Sequence, residues 1–316
     1  MVILLLSKHH SYIAGFKKLR PYYKVGLHWI FLAAVVGQDR VHKLLKAISS
    51  DTRTTASHSF NYENKIIIDD YTLKIKDLVA LNIKHLELAL NKHYAISGAS
   101  GLGKTSFLKD IQGCLTNPLS SSGEISLPTV NGKEVKPMFI DQNLYIPAGS
   151  TLFEAITLKS SSMLDNETKL LLKTKIIKLF KQLTIDASSA VGDETTGLTS
   201  ELDNPSFNTN NLSGGQKKKI GIIKLILTKP EIAIMDEVFV GLDKTSLITA
   251  QKLIKEYLPT ITLIIVDHHA EDNNYNNFYD REINFTINSQ DIHGIPSIEF
   301  SEKDVSILGL DFKEDF

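Results

Sequence analysis

Eight consecutive residues, Gly98-Ala99-Ser100-Gly101-Leu102-Gly103-Lys104-Thr105, fill every fixed position of a phosphate-binding loop, and Ser106 follows them. Glycines let the backbone curl until several N–H groups aim at the same β- and γ-phosphates, and the positive end of the next helix adds to that field. Lys104 would neutralise phosphate charge, and the Thr105 hydroxyl would ligate Mg²⁺. A second half of such a site must come from another strand. Residues 232–235, IAIM, are a short continuous apolar run of the kind that suits a buried parallel strand, and the run ends in Asp236 and Glu237. An aspartate at such a strand end would hold Mg²⁺ through water, and a glutamate beside it would orient and polarise an attacking water. The two stretches together point to a nucleoside triphosphate and to its attack by water.

A second glycine turn raises a problem. Leu212-Ser213-Gly214-Gly215-Gln216 precedes a helical stretch over residues 217–227 that is stopped at Thr228-Lys229-Pro230. This is another helix N-terminus armed with N–H donors and a serine hydroxyl. It cannot serve the same phosphates from the same side as the first loop. The lysine run 217–219 reads as a helix face near bound phosphate, while Asp193 and Glu194, among turn-forming neighbours, read as a solvated loop.

The elements that must position these residues are legible around them. Residues 94–96 end a strand that runs into the phosphate loop, and Phe107, Leu108, Ile111 and Leu115 recur at helical spacing after it. Upstream, from about Ile66, KIIID, YTLKIKDL and IKHLELAL alternate partly between apolar and polar residues, as short strands do. Downstream, TLIIVDHH is another apolar strand that ends in histidine. In LDNETKLLLKTKIIKLFKQL, Leu172, Ile176, Leu179, Phe180 and Leu183 share one helix face, with Asp165 or Asn166 available as the cap.

Residues 49–65 are polar and short of aliphatic side chains, so the boundary is set there: residues 1–64 form an N-terminal helical and linker region, and 65–316 a nucleotide-binding domain. Two apolar runs near the N-terminus, residues 1–6 and 25–37, both fall short of the roughly 18–20 residues of a spanning helix. The second follows Lys17, Lys18, Arg20 and Lys24, and is read first as an ordinary buried helix, then as a membrane-touching or partner-binding one, last as a displaced signal peptide.

Composition bounds the partners. With 35 Lys and Arg against 36 Asp and Glu, the formal net charge of −1 gives no overall field to recruit nucleic acid, so anion binding must be local. Cys114 is the single cysteine, which excludes an internal disulfide and a cysteine-based zinc cluster and fits a reducing compartment.

The order of these stretches resembles ATP-binding-cassette (ABC) proteins, over roughly residues 65–283. The resemblance is carried by the phosphate loop, by LSGGQ one helix before the Asp236-Glu237 strand, and by the histidine-ended strand. It implies an α/β P-loop fold with a RecA-like core of parallel strands, an antiparallel β-subdomain, and a helical subdomain at about residues 151–211. It also implies ATP and Mg²⁺ as ligands and a head-to-tail dimer, in which Ser213, Gly214, Gly215 and Gln216 of one chain close over the γ-phosphate held by residues 98–106 of the other. Two glycine turns are then needed because each completes its partner's site.

Further residues follow from the same resemblance. Gln142, in PMFIDQNLYIPAGSTLFEAI, matches the glutamine that reaches the metal and the attacking water, in a segment that also links to a membrane partner. Asp243 matches the aspartate of the loop after Glu237, with Gly241 where alanine is common. His268 matches the switch histidine that contacts the γ-phosphate, with His269 as its rival. Metal contacts are therefore expected from Thr105, Gln142 and Asp236, and catalysis from Glu237, His268 and Gln142. The family stacks an aromatic on adenine shortly after the first strand. Residues 78–82 offer none, which leaves Tyr71 as the substitute.

The stretch from Gly123 to Ile156 is similar to the cassette half of exporter-like half-transporters related to peroxisomal fatty-acyl carriers and bacterial peptide-uptake proteins. A separate membrane subunit and a cytoplasmic place on the inner face of a membrane are thereby expected, with no nucleic acid. Soluble DNA-repair cassettes would need coiled-coil arms or zinc cysteines, and translation-type proteins normally join two cassettes in one chain. A non-hydrolysing relic would have lost catalytic positions that are filled here.

Overall fold

The computed structural model describes residues 55–75, 78–115, 118–141, 149–185, 201–204, 207, 212–268, 270, 272, 275–288 and 297–304. The chain divides into two compact units, Met1–Arg53 and Thr54–Phe316. The first, with both N-terminal apolar runs, lies outside the described residues. So do Gln142, His269, Asp193 and Glu194.

The second unit holds two sheets. The outer one has the order β1 (Ser57–Asn61), β5 (Leu119–Val130), β2 (Lys65–Ile75), β3 (Leu78–Ala89), with β6 (Lys133–Glu134) pairing on β5. The β5-β2-β3 pairings are antiparallel, as expected, whereas β1 runs parallel to β5. The inner sheet has the order β11 (Ser297–Asp304), β10 (Arg281–Asn288), β4 (His93–Gly98), β9 (Thr262–Val266), β8 (Ile232–Asp236), β7 (Met138–Ile140); it is parallel from β10 to β7, and β11 joins antiparallel.

Residues 57–61 correct the expected linker. SHSFN has no apolar face to announce a strand, yet it pairs along β5, with Ser59 Oγ donating to Glu124 and Asn61 Nδ2 donating to Ser126 Oγ at 2.9 Å. Hydrogen bonds hold this edge, with Phe60 alone packing against the apolar core below. The compact unit consequently begins about ten residues before the boundary drawn from composition.

The inner sheet is buried on both faces, which is why its strands read as unbroken apolar runs. Ile232 and Ile234 turn to one side with Ile264, Val266, Ile96 and the outer sheet; Ala233, Met235, Leu263 and Ile265 turn to the other. The first side also takes Phe107, Leu108 and Ile111 of α1 (Lys104–Ile111). The second takes α2 (Leu152–Thr157), α3 (Asn166–Gln182), α4 (Gly214–Thr228) and α5 (Lys244–Tyr257). On α3 the expected face is the buried one: Ile176, Leu179, Phe180 and Leu183 are covered, Leu172 packs at the edge, and Asp165 caps the helix by accepting the Thr168 N–H at 2.8 Å.

The outer sheet departs from simple alternation in a way that bears on the site. Along β2, Ile66 and Ile68 are buried and then Tyr71 and Leu73; along β3, Leu81 and Ile83 and then Leu86 and Leu88. Each strand carries one residue more than a strict period of two allows, at the same level, between the pairs Asp69–His85 and Tyr71–Ile83. On the other side of β2, β5 has no extra residue: Asp69 pairs with Glu124 and Thr72 with Ser122, leaving Gly123 opposite the bulge. Asp70 sits there at φ 46°, and a methyl on Gly123 would lie 2.4 Å from its carbonyl oxygen. Only glycine fits.

Candidate functional site

The site lies where β4, β8 and β9 end, at the carboxyl edge of the parallel strands, the edge on which open α/β sheets place their ligands. From β4 the chain turns into α1 through residues 98–103. At the first of them a Cβ would stand 2.3 Å from the carbonyl oxygen of Phe285 on β10, and φ is 122°. Glycine at 98 is therefore imposed by the neighbouring strand. Ala99, Ser100 and Gly101 are exposed, Leu102 is buried in the core between the sheets, and Gly103 leads into α1 at φ 80°.

The Lys104 ammonium donates to the carbonyls of Gly98 at 2.9 Å and Ala99 at 2.7 Å, so the loop and its lysine are already drawn together. Burial lowers the affinity of Lys104 for its proton, against the pull of Glu237 and Asp236. Thr105 Oγ1 donates to Asp236 Oδ1 at 3.0 Å. Burial raises the Asp236 pKa, opposed by the Thr105 hydrogen bond and reinforced by the charge of Glu237. A hydroxyl and a half-buried carboxylate that meet here, with no lysine or arginine paired to that carboxylate among the described residues, are hard oxygen donors in want of a cation. That donor set fits Mg²⁺.

Glu237 follows Asp236 at φ 50°, a strained backbone for a residue with a Cβ, and its Oε1 lies 3.4 Å from His268 Nε2. The structure thus brings Lys104, Thr105, Asp236, Glu237 and His268 into one neighbourhood. A polar cleft of about 400 Å³ adjoins it, lined by Gly98, His268, Asp272, Glu282 and Asn284 among others.

Ser213 caps α4. Its Oγ accepts the Gln216 N–H at 3.1 Å, while Gln216 Oε1 accepts the Ser213 N–H at 2.8 Å, a reciprocal box that leaves the hydroxyl hydrogen free to donate outward. Gln216 Nε2 also donates to the Ile185 carbonyl at 3.1 Å. Among the described residues a methyl on Gly214 would meet nothing within 4 Å, and one on Gly215 only the Ser213 hydroxyl, at 3.9 Å. Asp243 caps α5 by accepting the Ser246 N–H at 2.9 Å and its hydroxyl at 2.5 Å.

Tyr71 corrects the expected base-stacking aromatic. The bulge turns it inward, fully buried, where its hydroxyl donates to Asp110 Oδ2 at 2.9 Å and its ring packs edge-on against Phe107. It braces α1 from beneath and is closed to a base. In the lysine run, expected as a helix face near bound phosphate, Lys218 and Lys219 turn into the chain, where Lys218 donates to the Val240 carbonyl and Lys219 lies 3.9 Å from Asp243 Oδ2.

A further buried pair stands behind His268. Tyr279 donates to Asp267 Oδ2 at 2.7 Å, both fully buried, and the Asp267 N–H donates to the Ile96 carbonyl at 3.1 Å. That ties the residue before His268 to the strand that feeds the phosphate loop. Asp267 was legible only as one more acid at a strand end, since nothing in the spacing reveals its partner twelve residues on.

A phosphate loop, an acid-ended strand two places along the same sheet and a capped glycine helix define the class as a P-loop nucleotide-binding domain. The ABC transporter family model matches residues 81–240, just over half of the chain. The chain belongs to the ABC transporter family, as its ATP-binding domain. It is 31% identical over 222 residues to the ergothioneine transport ATP-binding protein EgtV of Helicobacter pylori, a match covering 69% of this chain and 91% of that protein. To the microcin-J25 export ATP-binding/permease protein McjD of Escherichia coli it is 29% identical, over 61% of this chain and 31% of that one. A bacterial Atm1-family ABC exporter solved with ATP bound shares the fold, with a TM-score of 0.56 and 15% identity over 77% of this chain and 41% of that one. The chain spans about a third of the length of several curated relatives that it matches, 36%, 31% and 34%. Among the described residues no helix is long and apolar enough to cross a membrane.

Proposed function

We propose that the chain hydrolyses ATP as the motor of a transporter, working as a head-to-tail dimer of two such cassettes on the cytoplasmic face of a membrane. Residues 98–106 hold the phosphates, with Lys104 on the γ-phosphate. Thr105, Asp236 and Gln142 would hold Mg²⁺, which would supply charge to neutralise the phosphates. Glu237 orients the water for in-line attack, and His268 fixes Glu237 and senses the γ-phosphate. The Ser213 hydroxyl of the second copy, with Gly214, Gly215 and Gln216, closes the site and stabilises transition-state charge, while Asp243 shapes the loop beside it. Opening and closing of the dimer would drive a membrane partner.

The convergence of Lys104, Thr105, Asp236, Glu237 and His268 at three strand ends carries this reading. Gly214 supports the dimer, because among the described residues nothing would meet a methyl placed there. The test is ATP turnover by the purified chain at several protein concentrations. Turnover should rise faster than linearly with concentration. Glu237→Gln should lower it by about 10²-fold or more while ATP still binds, and Ser213→Arg should abolish it. Undiminished turnover in Glu237→Gln would remove that residue from its role.

A further inference from the structure

Helix α4 has a second point of contact with the chemistry. One turn beyond Ser213, the Lys218 ammonium donates to the carbonyl of Val240, and Lys219, almost fully buried, lies 3.4 Å from Thr184 Oγ1 and 3.9 Å from Asp243 Oδ2. Both lysines therefore grip the short turn that begins at Glu237 and ends at Asp243.

That turn is tightly determined. Glu237 has its left-handed backbone, the Val240 N–H donates to the Glu237 carbonyl at 3.3 Å, Val238 and Phe239 are buried, and Asp243 is committed to capping α5. A pull at Val240 is passed to Glu237 through a single hydrogen-bonded loop. Ser213 and Lys218 are five residues apart on one helix, about 7.5 Å along its axis. A helix moves over that length as a rigid piece.

Stability alone accounts poorly for Lys218. Ordering a lysine costs much of its side-chain entropy, and here its ammonium is partly desolvated for a neutral carbonyl, which burial opposes by lowering its proton affinity while the charge of Glu237 draws it in. A contact of that kind is a weak clamp and a good lever.

We infer that Lys218 is a positioning residue that couples the two nucleotide sites of the dimer. When the Ser213 end of α4 engages the γ-phosphate on the second copy, Lys218 carries the shift of the helix to Val240 and so sets Glu237 of its own chain, which serves the other nucleotide. Lys219 holds the far end of the turn at Asp243. The inference rests on the head-to-tail dimer proposed above and adds to it a direction of communication, from one copy's phosphate to the other copy's water.

The experiment compares the full chain with Lys218→Met, which keeps the length and apolar stem, and Lys218→Arg, which keeps the charge. ATP hydrolysis is measured against ATP concentration, with binding of a fluorescent ATP analogue and thermal unfolding measured on the same samples. The wild type should respond sigmoidally, with a Hill coefficient approaching about 2. Lys218→Met should lose that cooperativity and about tenfold in kcat, a change of about 1.4 kcal/mol in the barrier, with analogue binding and unfolding temperature unchanged, and Lys218→Arg should restore both. Unchanged cooperativity in Lys218→Met would overturn the coupling. So would a loss of kcat that tracks a lowered unfolding temperature and is not rescued by arginine. A wild type that hydrolyses ATP without cooperativity would also overturn it while leaving the ATPase reading intact. A wild type that neither hydrolyses ATP nor dimerises with it as Glu237→Gln would remove the dimer itself, and the coupling with it.

Discussion

Two helices of this chain begin in glycine-rich turns, and they are built on opposite principles. At the start of α1 two of the three glycines answer to the chain itself: Gly98 is pressed against the Phe285 carbonyl, and a methyl on Gly103 would come within 3.0 Å of Leu73, while Gly101 is set by its backbone, at φ 85°, with no described atom within 4 Å of a methyl there. At the start of α4, Gly214 has open space on every described side. One turn is finished within a single molecule. The other leaves room beside its glycine, and the dimer proposed above would use that room for a close approach from the second copy.

The difference can be broken most severely at Gly98. Gly98→Ala forces a Cβ into a backbone oxygen and should cost at least about 3 kcal/mol, seen as a lowered denaturation midpoint; a loss below about 1 kcal/mol would mean that β10 can give way. Acid should act on the same half next. His93, at the foot of β4, is buried with its Nδ1 2.9 Å from the Phe278 carbonyl, and burial lowers its pKa to about 4. The unfolded chain takes up that proton near pH 6.5 and the folded chain resists it until about 4. The stability contribution is therefore complete above about pH 6.5 and is lost as pH falls to about 4, to a total on the order of 3 kcal/mol. Hydrogen exchange should show β4 loosening over that window, and His93→Gln should remove much of the slope. The smallest effect on stability belongs to the other turn. Gly214→Ala should shift unfolding by no more than about 0.5 kcal/mol, while ATP turnover falls at least tenfold. Full turnover would mean that nothing approaches Gly214 closely.

Much of this arrangement is legible in the sequence because its signals are local. A glycine loop between a strand and a helix, an apolar run ended by two acids, and an N-cap serine followed by glutamine three residues on each announce themselves within ten residues. What escapes is long-range or carried by backbone. Ser57–Asn61 pairs by hydrogen bonds that its side-chain types do not advertise. Tyr71 is the aromatic left for a base when residues 78–82 offer none, and the bulge at Asp70, invisible to residue types, buries it instead. Lys218, in a run of three lysines, reads as part of a helix face near phosphate, and the return of the chain at Val240 gives it a carbonyl partner instead.

The double bulge of the outer sheet also bears on how such a chain can change length. Asp70 and a residue opposite it on β3 are both surplus to alternation, and β5 makes room for the surplus only with Gly123. A lone deletion at position 70 would leave β2 and β3 out of step by one residue, and every side chain beyond that level on one of them would face the wrong way. Losing Asp70 together with Lys84 would keep both strands in phase and relieve Gly123 of its constraint. Insertions and deletions at this level of the sheet are thus tolerated in pairs, so relatives of this chain should differ there by two residues or by none.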